Sequence, residues 1–80
     1  MAAELAPELK HALRHLRKVR SRRPCESEGL AAFADWREEM AGALELLARH
    51  LLYEEDRAQA AAEAAQARSE AAQIRAQARP

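Results

Sequence analysis

The sequence predicts an all-α fold: an antiparallel helix hairpin with a long, Ala-rich second helix, completed by oligomerisation. Three observations predict it. No Gly follows Gly42 and no Pro lies between Pro24 and Pro80, so 43–79 contains no helix breaker. That stretch is dominated by Ala, Glu, Gln, Arg and Leu, the strongest helix formers. Bulky apolar residues also recur at helical spacing on both sides of a polar, Pro-containing connector.

The first helix is predicted over 3–20. Leu5, Leu9, Ala12, Leu16 and Val19 follow a 4-3-4-3 spacing, an apolar seam that Leu13 widens. Pro7 falls in the first turn, where its missing N–H costs little. Glu4 and Glu8 near the start and Arg17, Lys18 and Arg20 near the end complement the helix dipole. The connector spans 21–26, because the residue before Pro24 is biased away from helical geometry. Ser27 then reads as an N-cap with Glu28 in the first turn.

The second helix is predicted over 27–76, as one element. Phe33, Trp36, Met40, Leu44, Leu47 and Leu51 form a single stripe on it. Leu46 and Tyr53 make a smaller patch on another face, which a two-helix hairpin leaves uncovered. Gly42 lies off the stripe. Past Glu54 and Glu55 the stripe continues as Ala58, Ala62, Ala65 and Ala72, shrunk to methyl groups. The segment 57–80 is therefore expected to project or fray as a thin arm.

Composition narrows the function. Eighty residues make one small domain, short of the size at which a single core is comfortably self-sufficient. Apolar residues on more than one face then point to a homo-oligomer or a protein partner. No apolar run approaches a membrane span and no secretory signal pattern is present, so a cytoplasmic location is expected. The single Cys25 excludes an intrachain disulfide. No phosphate-binding Gly loop and no nucleophile–base pair occurs, so neither catalysis nor a cofactor is expected.

The zero net charge hides three blocks: +5 over 1–25, −7 over 26–56 and +2 over 57–80. Blocks of opposite sign favour antiparallel association. Lys10, Arg14, Arg17 and Lys18 share the face opposite the leucine seam, and Arg22 and Arg23 extend that strip. This makes Arg14, Arg17, Lys18, Arg22 and Arg23 a candidate nucleic-acid surface, unless Glu38, Glu39 and Glu45 neutralise it. Glu8, His11 and His15 share one strip at metal-ligand spacing, a weaker possibility without a second Glu-x-x-His to complete a shell.

Phe33-Ala34-Asp35-Trp36, the leucine stripe and the Ala/Arg/Gln/Glu tail together resemble small uncharacterised helical proteins of high-GC actinobacteria, many encoded near integrative or plasmid elements. The resemblance covers 30–79, leaves out the basic first helix and implies no functional residue. The sequence thus predicts a non-catalytic helical interaction or assembly module, with Phe33, Trp36, Met40, Leu44, Leu47, Leu51, Leu46 and Tyr53 as its interface. A small accessory nucleic-acid-binding protein is the alternative.

Overall fold

A computed structural model describes residues 6–78. The predicted helical residues 3–5 and the tail residues 79–80 lie outside the described residues. Three helices follow one another: α1 (Pro7–Ser21), α2 (Leu30–His50) and α3 (Glu54–Ala78). The all-α class and the helix hairpin agree with the sequence. Helix α2 is the centre. Both neighbours pack on it, and α1 and α3 do not approach each other backbone to backbone. The result is an elongated slab of 57 × 22 × 13 Å.

Helix α1 begins with Pro7 at its first position and Glu8 in its first turn, and Lys18 and Arg20 lie in its last. The predicted seam is its buried face: Leu9, Ala12, Leu16 and Val19. This seam meets Trp36, Met40, Ala43, Leu44 and Leu47 of α2 in one apolar core. The Trp36 indole N–H donates to the Val19 carbonyl at 2.7 Å. That carbonyl also accepts the Arg22 N–H at 3.0 Å, so a side chain of α2 helps to cap α1.

The connector holds a surprise of one turn. The sequence places the start of the second helix at Ser27, whereas 26–28 form a 3₁₀ turn and α2 starts at Leu30. Gly29 separates them with φ of +92°, a conformation that side chains with a Cβ rarely adopt. The turn is tied down by the Cys25 N–H, which donates to the Glu28 carboxylate at 2.9 Å.

The larger correction concerns the second arm. The helix predicted over 27–76 is two helices, broken at 51–53, and the tail does not project. Leu51 leaves helical geometry with ψ of 143°. The Arg57 side chain donates to its carbonyl at 2.7 Å, closing the turn. Arg49 and His50 end α2, while Glu54, Glu55 and Asp56 open α3. Each set has the sign that its helix end favours, which stabilises a stop and a restart without Gly or Pro.

Helix α3 folds back antiparallel onto α2. Its buried residues are Ala60, Ala64, Ala67 and Ala71, facing a side of α2 that includes the fully buried Ala34 and Ala41. The expected stripe of Ala58, Ala62, Ala65 and Ala72 is exposed instead. That stripe continues the phase of α2, and the break at 51–53 resets the phase. Small side chains let helix axes approach to the short end of the usual range of about 8–10 Å. Such a seam buries little area per residue, and charges on both sides reinforce it. Arg75 binds Asp35 at 2.7 Å and Glu38 at 2.9 Å, and Arg37 binds Glu70 at 3.3 Å. Arg68 makes a bidentate pair with Glu45.

Gly42 points into open space, and a Cβ built there meets nothing within 4 Å. Close approach of a neighbour is therefore not its role. Gly42→Ala should stabilise the chain by about 0.5–1 kcal/mol, because alanine restricts the unfolded chain and strains nothing in the helix. Denaturant unfolding measures this, and a loss of stability would point to a neighbour against this face.

Candidate interaction surfaces

The predicted interface residues divide in the structure. Trp36, Met40, Leu44 and Leu47 are buried in the chain's own core. Phe33, Leu46 and Leu51 pack half-buried against that core. Only Tyr53 stands out in solvent, 71% exposed beside Leu52 at 79%. The proposed interface is thus chiefly an internal core. Helix α3 covers a different side of α2, that of Ala34 and Ala41, and Tyr53 of the smaller patch stays exposed. Sequence reasoning missed Leu30, which is 60% exposed at the start of α2. It lines a hollow of about 560 Å³ with Arg23, Pro24, Cys25 and Phe33.

Since the backbones of α1 and α3 stay apart, a groove of about 280 Å³ runs between them. Its floor includes Leu44, Leu47 and Leu51 from α2. One bank carries Leu16 and Arg20 of α1, and the other carries Asp56, Ala60 and Glu63 of α3. The banks therefore differ in charge. Neither Arg20, Asp56 nor Glu63 makes an ion pair among the described residues.

The basic strip also divides. Lys10, Arg14, Arg17 and Lys18 are exposed on α1 and form no ion pair among the described residues. Arg22 lies 3.3 Å from Glu39, a solvent-exposed pair of small energetic weight. Arg23 is stacked: its guanidinium sits 5.6 Å from the Phe33 ring centroid and 5.5 Å from that of Trp36. Arg37 approaches Trp36 at 5.8 Å. Arg22 and Arg23 are thus engaged in the fold, while Arg14, Arg17 and Lys18 are free.

The acidic residues expected to neutralise α1 mostly serve α3. The hydrogen bond from Arg68 holds the Glu45 carboxyl below its ordinary range, and the same contact raises the Arg68 guanidinium. Hydrogen bonds to Asp35 and then Glu38 raise that of Arg75. Three carboxylates of the acidic block are thus matched to arginines of the tail and one, Glu39, to Arg22, rather than to the exposed strip of the first helix.

His11 and His15 flank the basic strip, lining a shallow depression of about 220 Å³ with Arg14 and Lys18. Among the described residues no three His, Cys, Asp or Glu side chains are grouped so as to hold a metal ion. Glu8, His11 and His15 therefore form no ligand set within one chain. Among the described residues no helix is long and apolar enough to cross a membrane. No family model, curated protein or solved structure matches the chain.

Proposed function

We propose that the chain is a non-catalytic helical interaction module that self-associates face to face through the groove between α1 and α3. One observation carries this reading: the groove is complementary to itself. Its floor is apolar, one bank carries Arg20 and the other carries Asp56 and Glu63. A two-fold axis parallel to α2 lays the α1 bank of one copy over the α3 bank of the other. Arg20 then meets Asp56 and Glu63 of the second copy twice, once on each side of the axis. Such an isologous contact closes at a dimer and leaves no open end for further growth. It would also turn a slab with an open groove into two layers around a shared core, the usual solution for a small domain.

Charge reversal tests the arrangement directly. Arg20→Glu should weaken the dimer at least about tenfold, since each exposed pair contributes up to about 1 kcal/mol and the contacts on both sides of the axis are reversed. Adding Glu63→Arg to that variant should restore much of the affinity. Light scattering after size exclusion, at widely separated loading concentrations, reads both effects. A folded monomer throughout, with a melting temperature independent of concentration, overturns the proposal.

A further inference from the structure

We infer that the outer face of α1 is a docking strip for duplex nucleic acid, held through phosphate contacts rather than base contacts. Lys10, Arg14, Arg17 and Lys18 lie exposed along this face without an ion pair among the described residues. The four acidic side chains of α2 are engaged elsewhere. Asp35 and Glu38 hold Arg75, Glu45 holds Arg68 and Glu39 holds Arg22. Glu8, the one acidic residue of α1, lies roughly 120° around the helix from the centre of the strip, at 100° per residue.

The spacing suits a phosphate backbone. From Lys10 to Lys18 the helix rises about 12 Å. Duplex DNA presents one negative charge per roughly 1.7 Å of its axis, so a strip of this length faces several phosphates at once. The depression between His11, Arg14, His15 and Lys18 offers a recess with nitrogen-bearing side chains around it.

What the strip lacks identifies the class of partner. It holds no Phe, Tyr or Trp on which the bases of a single strand could stack. It has no Trp, Phe or exposed Leu to enter a lipid surface. It also lacks the apolar anchor on which protein interfaces usually depend. A face that is polar, strongly positive and without an apolar centre matches surfaces that bind duplexes. Helix α1 has no Asn or Gln for reading adenine, in keeping with binding that ignores sequence. The strip points away from α2, so it stays open when the groove is covered by a second copy.

The test is fluorescence anisotropy with labelled duplex DNA, duplex RNA, single-stranded DNA and anionic phosphatidylserine vesicles. Wild type should bind both duplexes with micromolar affinity at low salt and the single strand more weakly. With four phosphates contacted, a fourfold rise in salt should weaken duplex binding about 150-fold. Arg14→Ala/Arg17→Ala/Lys18→Ala leaves one contact, so affinity should collapse and the remaining salt effect should shrink to about three- or fourfold. Arg14→Lys/Arg17→Lys keeps the charge and should keep the binding. All these side chains are exposed, and circular dichroism checks that each variant folds. Equal binding by wild type and the triple variant overturns the inference, as does binding to vesicles but not to duplexes. Light scattering on the same samples separates the two proposals. A monomer that binds duplex defeats only the dimer, and a dimer that ignores duplex defeats only the strip.

Discussion

Ending the chain at Tyr53 is expected to abolish cooperative folding. The truncation removes α3, and with it the buried Ala60, Ala64, Ala67 and Ala71. It uncovers the fully buried Ala34 and Ala41 and frees Asp35, Glu38 and Glu45 from their arginine partners. Each alanine contributes little, but together they form the longer of the two helix contacts in the molecule. The remaining α1–α2 pair has fewer residues than a small domain ordinarily needs to fold alone. A domain of this size is stable by only on the order of 5 kcal/mol, so losing one of two helix interfaces should exceed what is available. Thermal circular dichroism would show a broad, low-amplitude transition in place of a sigmoid. A sharp melt with α1 and α2 intact would make α3 an accessory arm after all.

How much of this was legible differs between the ends of the chain. In α1 the spacing of Leu9, Ala12, Leu16 and Val19 marks the buried face because the intervening positions are charged or polar with few exceptions. In α2 the stripe of Trp36, Met40, Leu44 and Leu47 is legible because these bulky side chains recur at helical spacing among charged residues and small Ala and Gly, with Leu46 the one bulky exception between them. Periodicity fails in α3 because alanine occupies every face, so no phase stands out. Its register is set by what it packs against and by Arg68, Glu70 and Arg75, whose partners lie more than thirty residues away in two cases. The break itself left a local trace: Arg49-His50 followed by Glu54-Glu55-Asp56 is the charge order of one helix ending and another beginning. The absence of Gly and Pro concealed it. On the candidate surfaces, sequence placed Arg14, Arg17 and Lys18 on an open face. The engagement of Arg22 and Arg23 depends on Glu39, Phe33 and Trp36, which only the folded hairpin brings near.

Trp36 is the residue whose loss should damage the α1–α2 contact most. It is 8% exposed, and its ring lies 5.6 Å from that of Phe33, with Arg23 and Arg37 near its faces. Trp36→Ala should cost about 3–5 kcal/mol, the usual range for emptying such a site. Much of the domain's stability would go with it, and Arg23 would lose one of its two aromatic supports. Trp36→Phe separates packing from hydrogen bonding. It keeps most of the apolar volume but removes the 2.7 Å bond to the Val19 carbonyl. That carbonyl retains the Arg22 N–H, so it is not stranded without a donor. The expected cost is therefore about 1 kcal/mol for the bond, plus a smaller packing loss. Denaturant unfolding followed by far-ultraviolet circular dichroism measures both variants, since either substitution removes the chain's single tryptophan as a fluorescent probe. If Trp36→Phe proves as costly as Trp36→Ala, the indole N–H is the main tie between the helices. If both are nearly neutral, α1 is held by its leucine seam alone and the capping contact contributes nothing.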